Sequence, residues 1–134
     1  MKTELNFSLS ELIYSNTAIK YNINNMPDLK ALDNLLNLIF YCLQPLREKI
    51  GKPIIISSGY RCEKVNHLIG GASNSQHLSG CAADFRISDM EIQTAIDYII
   101  KSGIEYDQLI NEHNRWIHIS YVKGKNRNQY HIIN

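Results

Sequence analysis

Between Ser75 and Phe85 the chain reads SQHLSGCAADF. An imidazole, His77, stands seven residues before a carboxylate, Asp84, with small residues between them. Neither a helix nor a strand is favoured by Ser, Gly, Cys, Ala and Ala in that order, so the spacing serves the two polar side chains. Small residues let a backbone fold closely around an ion and then enter a packed strand. A second imidazole stands in Trp116-Ile117-His118-Ile119-Ser120. Strand alternation sends Ile117 and Ile119 to one face and Trp116, His118 and Ser120 to the other. The isoleucine face is core, and the opposite face is the wall of a site. Two neutral imidazoles and one carboxylate suit Zn²⁺, and three protein ligands leave a fourth position for water. Ligand type alone admits other transition metals.

Such side chains need elements to carry them. Ser8-Leu9-Ser10-Glu11 is a capping box, with Ser8 opening a short helix through Tyr14. Residues 15–27 are polar and turn-rich. Pro27-Asp28 opens a long helix in which Leu29, Leu32, Leu35, Leu36, Ile39, Leu43 and Leu46 form one buried face. Pro45 predicts a kink or restart within it, and Gly51-Lys52-Pro53 ends it. Ile54 to Ser58 reads as a buried strand. Gly59-Tyr60-Arg61 turns the chain into a helix over 62–69, stopped by Gly70-Gly71. Ala82 to Ile87 reads as a strand. Ser88-Asp89-Met90-Glu91 is a second capping box, and its helix turns Ile92, Ala95, Ile96, Ile99 and Ile100 inward before Gly103. Tyr106–Glu112 and Trp116–Val122 read as a hairpin. The tail beyond Lys123 is polar and loose apart from Tyr130 to Ile133. The order of elements predicts an α+β domain, with helices packed on a small, mostly antiparallel sheet.

Composition bounds the function. A chain of 134 residues is read as one domain, with a core that needs no staples. Fourteen basic and 13 acidic residues give net charge +1, which is no footprint for nucleic acid. No apolar run approaches the length of about 20 residues that spans a membrane. The opening MKTELNFSLSEL lacks the apolar core of a signal peptide, so the expectation is a protein made in the cytoplasm. Cys42, Cys62 and Cys81 are odd in number without C-x-x-C spacing, and are expected to be free thiols. Cys62 has no partner base in sequence. Cys81 is a small packing residue, Trp116 is packing, and His67 and His131 are surface histidines.

Ser75-x-His77-x-x-Gly80-x-Ala82-x-Asp84, followed by Trp116-x-His118-x-Ser120, resembles the zinc D-Ala-D-Ala carboxypeptidase and L-alanyl-D-glutamate endopeptidase family. That group includes phage endolysins, vancomycin-resistance dipeptidases and the hedgehog-like fold. Ser57-Ser58-Gly59-Tyr60-Arg61 is similar to its SGYR segment, and Asn66 sits where it often carries Asn. FSLSEL and the Leu-Gln-Pro-Leu-Arg stretch at 43–47 resemble its small phage-type members. The resemblance covers nearly the whole chain. It implies a zinc metallopeptidase acting on peptidoglycan stem peptides, with His77, Asp84 and His118 as metal ligands. A monomer with neither nucleic acid nor membrane as partner is expected. It would reach the wall after release in a phage or prophage setting, or be virion-borne. Carboxypeptidase and endopeptidase both stay open. The contrasting reading is a catalytically silent, zinc-stabilised wall-binding or structural module.

The family places a catalytic carboxylate just upstream of the last histidine. Three residues before it stands Arg115, so the resemblance shifts the role to Glu112, in Leu109-Ile110-Asn111-Glu112. A hairpin loop of residues 113–115 pairs Glu112 with Trp116 and puts both on the face of His118. A two-residue loop would turn Glu112 away. His113 is the rival base, and Glu112 is otherwise a solvated charge at the hairpin end. The resemblance also implies that Arg61 holds a substrate carboxylate or polarises the scissile carbonyl, which its planar fork suits. A structural ion pair is the plainer role for Arg61. Ser75 is a substrate hydrogen-bond donor on the resemblance alone, and otherwise a turn residue.

Overall fold

The computed structural model describes residues 5–134. Helix α1 (Leu9–Ile13) starts where the Ser8 hydroxyl accepts the Glu11 N–H at 3.2 Å. The stretch read as turns holds a second short helix, α2 (Asn16–Lys20), capped by Ser15 through the Ala18 N–H. Asp28 caps α3 (Leu29–Leu38), which runs through a π-helical turn at Ile39–Leu43 into α4 (Gln44–Ile50). Pro45 has no N–H to donate. The chain widens just before it, and the Gln44 N–H reaches back five residues to the Ile39 carbonyl. The widened turn shifts the buried face. Leu35, Ile39, Leu43 and Leu46 are inside as expected, and Leu38 and Cys42 join them. Leu32 and Leu36 are half-buried, and Leu29, expected inside, is 85% exposed.

The sheet comprises β1 (Ile54–Ser58), β2 (Ala82–Ile87), β3 (Gln108–Glu112), β4 (Trp116–Ser120) and β5 (Gln129–Ile133). Its order is β1-β2-β4-β3-β5, antiparallel throughout except that β5 lies parallel to β3. The tail is therefore drawn in, with Gln108 opposite Gln129 and Glu112 opposite Ile133. β1 is an edge strand rather than a fully buried one. Ile54 is inside, Ile55 faces out, and the register slips between Ile56 and Ser58.

Helix α5 (Glu63–Leu68) follows β1, and α6 (Ile92–Ser102) follows β2, ending at a left-handed Gly103. The second capping box does not form. Glu91 takes the N-cap position without a side-chain bond, and Asp89 sits in a turn at φ +59°. Ile100, expected inward, is largely exposed.

One face of the sheet makes the core. Phe85, Leu109, Ile117 and Ile119 are fully buried with Ile96 and Ile99 of α6 and with Leu35, Leu38 and Leu43. Each such side chain contributes roughly 1.5–3 kcal/mol by leaving water. Alternation leaves Asp84, His118, Ile110 and Glu112 on the opposite face, free for chemistry. This is an α+β architecture with helices packed on a mostly antiparallel sheet.

Candidate active site

Register builds the site. Asp84 of β2 stands opposite His118 of β4, and His118 stands opposite Ile110 of β3. Glu112 pairs with Trp116, so residues 113–115 form the three-residue loop that keeps Glu112 on the face of His118. His113 and Asn114 both take positive φ within that loop.

His77 comes from the loop before β2. Its backbone carbonyl accepts the Arg61 N–H at 3.1 Å, joining the two loops that carry the site. Close packing requires glycine at two points. A Cβ on Gly59 would run into the Leu12 carbonyl, and one on Gly80, at φ +78°, into the Ala31 carbonyl. Asn25, missed in the sequence, clamps the same region. Its amide donates to the carbonyls of Ile13 (2.7 Å) and Tyr60 (3.2 Å), and its carbonyl accepts the Cys62 N–H at 2.8 Å.

The three expected ligands converge. One donor atom each from His77, Asp84 and His118 lies within 4.8 Å of the others, and all three residues are buried. His77 Nε2 is 3.2 Å and His118 Nδ1 is 3.0 Å from the same oxygen, Asp84 Oδ1. His77 Nδ1 is 2.7 Å from the Gly59 carbonyl, which can only accept, so Nδ1 carries the proton. In the neutral ring Nε2 is then a lone pair aimed at a carboxylate. Facing lone pairs of this kind need a positive charge between them, which a divalent cation supplies. The Gly59 contact fixes tautomer and ring plane as the outer partner of a metal-ligating histidine does. Two nitrogens and an oxygen with an open side match a catalytic zinc centre.

Burial is the largest influence on Asp84 and pushes its pKa up. His118 and His77, as hydrogen-bond donors and positive charges when their rings are protonated, overcome it and hold the carboxyl well below the usual range. Glu112 Oε1 lies 3.8 Å from His118 Nδ1. Burial and then the Asp84 charge raise the Glu112 pKa, against the nearby histidines. His113 is exposed, with its ring edge-on to Trp116 at 6.0 Å between centroids. It borders a separate cavity from the one that holds the three ligands.

Arg61 is held by three side chains. Its Nη2 donates to Asp84 Oδ2 at 3.2 Å, Nε to Ser58 Oγ at 3.0 Å and Nη1 to Asn66 Oδ1 at 3.2 Å. The slipped register of β1 sets Ser58 opposite Asp84, where this bond forms. Asn66 is buried and also donates to the Ala72 carbonyl. The Ser75 hydroxyl accepts the His77 N–H at 3.2 Å. Arg61, Ser75 and the three converging residues border a cavity of about 600 Å³, with Glu112, Ile110 and Gln108 of β3 along one side. Trp116 Nε1 and Gln76 Oε1, both on residues lining it, are buried without a partner among the described residues.

A second polar cluster on the same cavity was not legible in sequence. Asp107, almost fully buried, takes Gln76 Nε2 at 2.8 Å and Arg127 through three bonds. The Arg127 bonds are the leading cause of a pKa lowered to about 2, and burial opposes them. Arg127 arrives only when the chain returns to lay β5 on β3, some twenty residues on. His67 and His131 are exposed, and the three cysteines are free thiols, as expected. Among the described residues no helix is long and apolar enough to cross a membrane.

Residues 5–120 match the family model described as peptidase M15. Over 83 residues the chain is 36% identical to a zinc D-Ala-D-Ala carboxypeptidase of Streptomyces albus G. That stretch is 61% of this chain and 31% of the relative, so the chain spans well under half of that protein.

Proposed function

The chain belongs to the peptidase M15 family, and from that premise we propose a zinc-dependent peptidase that hydrolyses an amide bond in bacterial peptidoglycan stem peptides. The observation that carries the reading is the meeting of His77, Asp84 and His118 at one point, with Glu112 beside them. The carboxypeptidase relative supports both the metal and the wall substrate.

His77 Nε2, Asp84 and His118 Nδ1 would hold the zinc. When bound, it supplies a Lewis acid that polarises a carbonyl and lowers the pKa of water to about 7. Glu112 takes a proton from the attacking water at Oε1. The water oxygen bonds to the carbonyl carbon, the C–N bond breaks, and Glu112 returns the proton to the leaving amine. Arg61, fixed by Ser58, Asn66 and Asp84, presents a rigid cation to the carbonyl oxygen or to a substrate carboxylate. Ser75 keeps its hydroxyl hydrogen for the substrate while its oxygen accepts from His77.

A silent zinc module would leave the base out of reach, and the position of Glu112 favours the enzyme instead. The test is digestion of purified peptidoglycan followed by mass spectrometry, with and without chelator. New peptide termini that vanish on chelation and return with zinc support the proposal. An unchanged digest under both conditions refutes it, and the fragment masses identify the bond.

A further inference from the structure

We propose that Arg127 forms a second anion-binding subsite, which binds a substrate carboxylate two to three residues from the scissile amide. The inference rests on the peptidase reading and concerns the far end of the same cavity.

The first support is placement. Arg127 lines the cavity that holds His77, Asp84, His118 and Glu112. Asp107, which holds Arg127, precedes β3 directly. Ile110 stands opposite His118 at the ligand row. Three residues of extended chain separate Ile110 from Asp107, a distance of ~10 Å at 3.3 Å per residue. A substrate lying along β3 covers that distance with two to three extended residues.

Preorganisation is the second. Arg127 donates to Asp107 from its backbone N–H (2.9 Å), from Nε (2.9 Å) and from Nη2 (2.7 Å). Gln76 donates to the same carboxylate, and the Asp107 backbone is fixed by N–H to the Ser120 carbonyl and C=O to the Gln129 N–H. The guanidinium is thus oriented before any ligand arrives. Nη1 has no partner among the described residues, and the side chain is 53% exposed. A planar fork with one edge fixed and the other free suits a carboxylate. Arg61, whose three nitrogens all have partners beside the metal ligands, serves the reacting end.

The test reads binding, so it does not depend on turnover. The probes are three N-acetylated stem pentapeptides ending in D-Ala-D-Ala. One is unmodified, one has the terminal carboxylate as carboxamide, and one has the D-glutamyl α-carboxylate as carboxamide. Calorimetry on the metal-free protein, where no hydrolysis interferes, compares wild type with Arg127→Gln and Arg127→Lys. Folding of each variant is checked by circular dichroism, and Arg127→Lys keeps a cation near Asp107 should the glutamine variant not fold. The expected result is that one carboxamide binds wild type about tenfold more weakly, or 1.4 kcal/mol. Arg127→Gln should erase that difference, and Arg127→Lys should shrink it. Which carboxamide is sensitive identifies the carboxylate. Equal binding of all three peptides to wild type overturns the subsite, as does a variant that weakens all three by the same factor. Failure of the peptidase reading would appear separately, as an unchanged wall digest.

Discussion

Replacing Glu112 by Gln isolates the proton-transfer step. The amide keeps the shape of the carboxyl group, and residue 112 is not among the three converging ligands. Zinc content should therefore stay at one per chain while the base is lost. A positioned general base typically contributes 10²–10⁴-fold. The barrier should rise by about 2.7–5.4 kcal/mol, at 1.36 kcal/mol for each factor of ten. The assay is the initial rate of peptide release from peptidoglycan, with zinc measured on the same samples. His113→Ala is the control, because that ring lies exposed against Trp116 and outside the ligand cavity; its rate should match wild type. Turnover by Glu112→Gln within about threefold of wild type, under 1 kcal/mol of barrier, would show that Glu112 is not the base. Loss of activity in His113→Ala alone would transfer the role.

Other consequences are more local. Asp107 has its folded pKa lowered to about 2 from 3.8, so its contribution is complete above about pH 4 and is lost as pH falls through 2. Acid unfolding of Asp107→Asn should therefore lose part of this pH dependence, with at most about 2 kcal/mol at stake, since the Arg127 side is solvent-screened. Gly80→Ala forces a Cβ into the Ala31 carbonyl at a positive φ. It should lower the unfolding free energy by more than the ~1–2 kcal/mol of left-handed strain alone, read as a lower denaturant midpoint, and an unchanged midpoint would contradict the packing. Burial pushes the Cys42 thiol up to about 12, so alkylation at pH 8 should spare it until unfolding, while half-buried Cys62 reacts first. Peptide mapping after timed labelling distinguishes them.

The arrangement of the site was legible where it was local. His77 and Asp84 share one small-residue passage, and alternation alone sent His118 to the face opposite Ile117 and Ile119. Loop length gave Glu112 its direction, because one residue of register decides which face a side chain takes. The leucine stripe failed at Leu29 because α3 turns Ala31, Leu35 and Leu38 inward, and its first residue lies off that face. Helix α2 was missed because five residues carry too little periodicity to register against a polar background. The Asp107–Arg127 cluster was invisible for another reason. Its partners meet only through a parallel return of the polar tail, and no local pattern announces such a pairing. Arg61 had an ambiguous sequence signal, and its bonds to Ser58, Asn66 and Asp84 give it both an anchor and a place at the cavity.

X-ray absorption at the zinc edge of the metal-loaded protein addresses the three-ligand centre most directly. Two imidazole nitrogens at about 2.0–2.1 Å, oxygen ligands at about 2.0–2.2 Å and no sulfur shell should appear. One zinc per chain should bind to wild type, and none to His118→Ala. A sulfur shell near 2.3 Å would move the metal to a cysteine, and a wild-type chain that takes up no zinc would leave His77, Asp84 and His118 without the role given to them here.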